Sequence, residues 1–211
     1  MPYKLAIFDM DGTLSDSFPW FLSVINAVAD KHKFQRVEND RIDQLRNVGA
    51  GELIRLLGVS KWRIPLIARD MRKLKSKQID RIALFPGVDR MFRELKARGV
   101  TIAIVSSDSE DNVRTVLGDL DQHVAYFACG AGLFGKKAKF QRVLDLTGIS
   151  VDEAISIGDE IRDIDAAREA GIDFAAVSWG YTSAAALKAR APNFMLSRMD
   201  DVIVALTTPR G

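Results

Sequence analysis

Six short apolar runs punctuate the sequence, at residues 5–8, 100–105, 124–127, 154–157, 174–177 and, more weakly, 194–196. Each has the length of a buried strand, and the second, Val100-Thr101-Ile102-Ala103-Ile104-Val105, is rich in β-branched residues. A helical pattern follows each run. Residues 88–98, 112–117, 140–146, 164–170, 184–190 and 200–206 carry apolar side chains at helical spacing, and Gly99, Gly148 and Gly171 supply stops. Strands alternating with helices over short connections predict an α/β fold with a doubly wound parallel (Rossmann-like) sheet.

One interval breaks the alternation. Between the first run and Leu84-Phe85-Pro86-Gly87 lie about 70 residues with no convincing strand. Phe18, Phe21, Leu22, Ile25 and Val28 predict a helix over 18–28, and further helical patterns follow, broken near 47–51 and at Gly58. A connection that long is expected to be a functional lid. The sequence therefore predicts an α/β core of residues 1–15 and 84–211 and an all-helical cap of residues 16–83. The cap holds the basic run Arg69, Arg72, Lys73, Lys75, Lys77 and Arg81, which reads as a solvated helix face or as a positive rim for an anionic substrate. Trp20, Phe21, Arg46, Asn47 and Trp62 are candidates for the entrance, or for cap packing.

Bulk properties restrict the setting. The 211 residues, 47% of them hydrophobic, suffice for one domain plus an insertion. Thirty basic against 28 acidic residues give a net charge of +2, which argues for no nucleic-acid partner. A lone cysteine, Cys129, excludes an intramolecular disulfide and reads as a small core residue in a reducing compartment. The first residues lead into an acid-terminated strand and no apolar run reaches membrane-spanning length, so a cytoplasmic protein without a membrane partner, monomeric or weakly dimeric, is expected.

The strand ends carry the chemistry. Run 5–8 stops at Asp9-Met10-Asp11-Gly12; an extended backbone would place both acids on one side, where a cation or shared proton must offset their repulsion. The second run ends at Ser106-Ser107-Asp108, a loop before a helix offers Lys136 or Lys137, and the fourth run ends at Gly158-Asp159-Glu160 with Asp163 beyond. Ligands bind beyond the carboxyl ends of parallel strands. A carboxylate nucleophile, a second acid, a hydroxyl, an ammonium and a further acid pair suit phosphoryl transfer assisted by Mg²⁺, which prefers oxygen ligands.

In this order the motifs resemble those of the haloacid dehalogenase-like hydrolase superfamily: Asp9-Met10-Asp11-Gly12-Thr13, then Val105-Ser106, then Lys136, then Gly158-Asp159-Glu160-Ile161-Arg162-Asp163. Phe85-Pro86-Gly87-Val88 and the position of the insertion resemble the phosphoglycolate-phosphatase-like branch. The resemblance implies a Mg²⁺-dependent phosphatase acting on a small phosphorylated metabolite. Asp9 would be the nucleophile and Asp11 the general acid and base. Asp9, Asp11 and Asp159 would serve the metal, the backbone at Met10 and Asp11 also serving the phosphoryl group. Ser106 or Ser107, with Lys136 or Lys137, would hold phosphate, and Asp163 and Glu160 would stand behind them. The chain departs from many relatives in lacking proline after the motif lysine (Lys136-Lys137-Ala138-Lys139) and in carrying Ser107-Asp108 where asparagine is frequent. A phosphomutase shares the same core residues. A dehalogenase would not require Asp11 and Asp159, and a phosphate-accepting receiver domain would lack the paired acids and the insertion.

Overall fold

The structure, a computed structural model, describes residues 3–130 and 135–208. Its six strands are β1 (Leu5–Phe8), β2 (Thr101–Val105), β3 (Tyr126–Ala128), β4 (Ala154–Gly158), β5 (Asp173–Val177) and β6 (Phe194–Leu196). They form one sheet, ordered β3-β2-β1-β4-β5-β6, and every pairing is parallel. The helices are α1 (Phe18–His32), α2 (Ile42–Leu45), α3 (Ala50–Leu56), α4 (Ile64–Lys77), α5 (Val88–Ala97), α6 (Glu110–Leu117), α7 (Lys136–Thr147), α8 (Ile161–Ala170), α9 (Ala184–Ala189) and α10 (Met199–Thr207).

Two-residue alternation divides the strands between two cores. Ala6, Phe8, Ile102, Ile104, Ile155 and Ile157 pack on one face with α5, α6 and α10. Leu5, Ile7, Ala103, Val105, Ala154 and Phe174 pack on the other with α7, α8 and α9. Covering both faces explains why β1 can be apolar throughout; all four of its residues are buried. β1 lies mid-sheet, where the strand order reverses, so its C-terminal end opens into the switch-point crevice.

The 16–83 segment contributes α1–α4 and no strand to the sheet. It leaves and rejoins at one place: Asp16 N donates to Ala83 O and Phe85 N to Leu14 O, each at 2.9 Å. Its apolar residues form two small clusters, Ile25, Val37, Leu45 and Leu57 in one and Trp20, Val24 and Ile82 in the other. Among the described residues no helix is long and apolar enough to cross a membrane.

Several boundaries differ from the sequence pattern. α8 begins at Ile161 and α6 at Glu110, because polar first turns carry no apolar periodicity. Lys136 and Lys137, expected in a loop, open α7 instead. Cations at a helix N-terminus oppose the macrodipole, which is why the run Gly135-Lys136-Lys137 does not read as a helix start. Part of the loop expected before them, residues 131–134, lies outside the described residues.

Candidate active site

The backbone of Asp9 still belongs to the sheet, its N–H donating to Ile157 O at 2.9 Å. The chain then turns: Leu14 N and Ser15 N both donate to Met10 O, and Gly12 adopts φ +78°. A Cβ at Gly12 would strike the Asp159 carboxylate and the Tyr181 ring, and one at Gly180 would strike Asp159 as well. These two glycines let two distant loops close on Asp159 from opposite sides.

Asp9 is buried, with Oδ1 accepting from Met10 N at 2.8 Å and Oδ2 paired with Lys136 Nζ at 2.8 Å. Lys136 Nζ also lies 2.6 Å from Asp163 Oδ1. Asp159 accepts from Thr13 Oγ1 at 2.8 Å and from Tyr181 N at 2.7 Å. Oxygens of Asp9, Asp159 and Asp163 approach within 4.8 Å of one another, all three residues being buried. Glu160 caps α8 and pairs with Arg162 at 2.5 Å.

The electrostatics follow from this crowding. Burial drives the Asp9 pKa up, but the charges of Lys136 and Arg162 outweigh it and hold the carboxyl below its ordinary value. Asp159 is pushed well above the ordinary value by burial and by Glu160, Asp9 and Asp163. Asp163 rises to about 7, burial outweighing the pull of Lys136. Here Asp9, Asp159, Glu160 and Asp163 crowd against Lys136 and Arg162, so the acidic side chains outnumber these bases by two. An all-oxygen donor set with that surplus fits a divalent cation such as Mg²⁺.

Asp11 departs from its expected place. Its carboxylate is not among the converging acids. The chain turns just past the strand, with Leu14 N and Ser15 N folding back on Met10 O, and Asp11 faces the insertion. There its Oδ1 pairs with Lys75 Nζ of α4 at 2.5 Å, and the same ammonium reaches Asp108 Oδ2 at 2.7 Å. Lys75 is buried, unlike the solvated or rim residue the basic run suggests. Burial alone would lower its pKa, but Asp11 and Asp108 hold it above the ordinary value.

Ser106 is buried directly beyond β2, its Oγ accepting from Asp108 N at 3.1 Å. Ser107 is half-buried, its carbonyl taking Arg72 Nη1 at 3.4 Å. Of the two candidate lysines, Lys136 reaches Asp9, whereas exposed Lys137 lies 3.9 Å from Glu169. Lys139 sends its ammonium to the carbonyls of Ser106 and Gly130 at 2.5 and 3.0 Å. Cys129 is half-buried with its thiol pushed up to about 12, mainly by burial, and is no nucleophile.

Residues 6–177 match the family model of haloacid dehalogenase-like hydrolases. The chain belongs to that family. It is 28% identical over 206 residues, 97% of each chain, to a phosphoglycolate phosphatase of Synechococcus elongatus. To one of Xanthomonas campestris pv. campestris it is 29% identical over 189 residues, 84% of each. A haloacid dehalogenase-like family hydrolase from Streptococcus pneumoniae shares its fold, with a TM-score of 0.78 and 21% identity over 96% of this chain and 97% of that one.

Within this haloacid dehalogenase-like site, sequence reasoning missed Thr13, Tyr181, Asp108 and Lys75. For Lys75 a signal existed: Ile64, Ile67, Ala68, Met71 and Lys75 recur at three- and four-residue steps, placing the lysine on the apolar face of α4. Tyr181 acts through its backbone N–H, which no side-chain pattern reveals.

Proposed function

We propose that this chain is a Mg²⁺-dependent phosphatase that hydrolyses a small phosphorylated metabolite through an aspartyl-phosphate on Asp9, with residues 16–83 acting as a substrate-selecting cap over a core of 1–15 and 84–211. One observation carries the reading: Asp9, buried at a strand end and held anionic by Lys136, sits beside Asp159 and Asp163, with Asp11 two residues away at the cap boundary. The names of the curated relatives, both phosphoglycolate phosphatases, support a phosphate monoester as substrate.

Asp9, Asp159 and Asp163 would hold Mg²⁺, directly or through water. When bound, the ion supplies the positive charge that lets an anionic carboxylate meet an anionic phosphate. Asp9 attacks phosphorus, and the ester P–O bond breaks. Asp11 gives its proton to the departing alkoxide, then takes one from the water that attacks the acyl phosphate, restoring Asp9 and releasing phosphate. Lys136 balances charge on Asp9 and the transferred group, while the Ser106 hydroxyl and backbone groups at Met10 and Asp11 help hold the phosphoryl group.

Asp11→Asn tests the division of labour. Each lost proton transfer is worth about 10²–10⁴ in rate. An aryl or acyl phosphate needs little protonation in the first step, so this variant should accumulate phosphate on the peptide containing Asp9, seen as a mass increase. EDTA should abolish turnover and Mg²⁺ restore it. Phosphate on Ser106, wild-type turnover by the variant, or full activity in EDTA would each refute the mechanism.

A further inference from the structure

A cavity of about 1070 Å³ lies between the insertion and the strand ends. Asp11, Lys75, Asp108, Glu160 and Arg162 line it where it meets the core, so it reaches Asp11 and the edge of the acid cluster. The remainder is walled by apolar side chains from all four inserted helices, among them Ile25, Leu45, Leu53, Ile54, Ile67 and Met71. Its size is at or above the upper end of ordinary small-molecule pockets, roughly 300–1,000 Å³.

Several polar groups of this hollow already have partners. Arg46 donates to Tyr181 O at 3.0 Å and to Gly180 O at 2.9 Å. Lys75 is shared between Asp11 and Asp108, and Arg162 pairs with Glu160. Arg72 leans on the Ser107 carbonyl, and Lys61 lies exposed at the rim. A short acid phosphate such as phosphoglycolate would leave most of the apolar wall in contact with water.

Resting on the phosphatase reading above, we propose that the substrate is the phosphate monoester of an apolar alcohol whose hydrocarbon body fills this hollow while its phosphate reaches Asp9. The helices spend their apolar faces on an open volume, and a ligand of that chemistry covers them. Recognition of the body is by burial, without direction, so chain length governs specificity.

The test is the specificity constant of the purified full-length protein with Mg²⁺ for ethyl, butyl, hexyl and octyl phosphate below their micelle concentrations, against phosphoglycolate and p-nitrophenyl phosphate. The expected result is a rise in kcat/KM of about fourfold per methylene, the equivalent of about 0.8 kcal/mol for each CH₂ buried, until the hollow is full. Ala68→Phe, which narrows the hollow from α4, should lower the octyl-to-ethyl ratio at least tenfold; as a ratio within one preparation, it is insensitive to partial unfolding. A flat or falling series, or preference for phosphoglycolate, overturns this inference and leaves the phosphatase reading standing. Turnover of none of the esters overturns both.

Discussion

The two ends of the cleft are built on opposite principles. At the strand ends each carboxylate is fixed by partners from far along the chain: Asp9 by Lys136, Asp159 by Thr13 and Tyr181, Asp163 by Lys136. Across the cleft, α1–α4 offer a broad apolar surface, held by small apolar clusters and by side-chain bonds such as Trp20 to Gln78 and Lys31 to Asp70. Phosphoryl transfer needs groups placed to a fraction of an ångström, which a sheet buried on both faces provides. Choosing an organic group, the role proposed for the insertion, needs volume, and the cavity beside α1–α4 provides it. If the insertion selects the substrate as proposed, chemistry and choice of substrate can change separately in such a molecule, with Asp11 and Lys75 as the point where the two ends meet.

The largest effect should come at the charged end. Asp9→Asn should lower p-nitrophenyl phosphate turnover by at least about 10⁴, as removal of a nucleophile does elsewhere. Turnover near wild type would mean that the strand end is not the reacting centre. At the junction, Lys75→Met leaves Asp108 buried without its cation, and losing one partner of a buried pair destabilises by about 3–5 kcal/mol. A lower urea midpoint should record this; an unchanged one would show that the bridge does not tie the insertion to the core.

A smaller effect separates the acids by pH. Without metal, folded Asp163 titrates near pH 7 and Asp159 is also raised, so the native state holds protons that the unfolded chain has released. The Asp163 contribution to stability is full below the unfolded value of about 4 and is lost as pH rises through about 7, and the raised Asp159 acts in the same direction. In EDTA the urea midpoint should therefore fall between pH 5.5 and 8.5, and saturating Mg²⁺ should remove that fall. A metal-free midpoint independent of pH would contradict the crowding of acids. The smallest effect belongs to the outer surface of the insertion. Trp62 is 73% exposed and does not line the cavity, so Trp62→Ala should stay within about 0.5 kcal/mol in stability and leave turnover unchanged.

The sequence made the charged end legible and left the apolar end obscure. Strands buried on both faces are continuous apolar runs, and their ends are marked by the abrupt appearance of Asp9, Ser106 and Asp159. The direction of Asp11 was not legible, because it depends on where the backbone leaves the strand, and Gly12 sets that locally. Nor was Lys75. Six basic residues along one segment describe a solvated face on average, and only the helical phase of α4 singles out the one that turns inward. Trp62 shows the converse. An aromatic residue in a cap invites a place at the entrance, yet its ring lies outside, with the Arg63 guanidinium 4.7 Å above it.

The central position of β1 also affects how the molecule comes into being. Leu5 pairs with Thr101 on one side and Ala154 on the other, so the acid-bearing strand is made first and completed late. At roughly 5–20 residues per second, about seven to thirty seconds of synthesis separate β1 from its second neighbour. Until then the apolar Leu5, Ala6, Ile7 and Phe8 lack one of the two strands that cover them in the native sheet. The contacts that close the sheet are long-range and slow to form. No intermediate on that path holds Asp9, Lys136 and Asp159 together before β4 docks, so the nascent chain stays inert toward phosphate esters until its architecture is nearly whole.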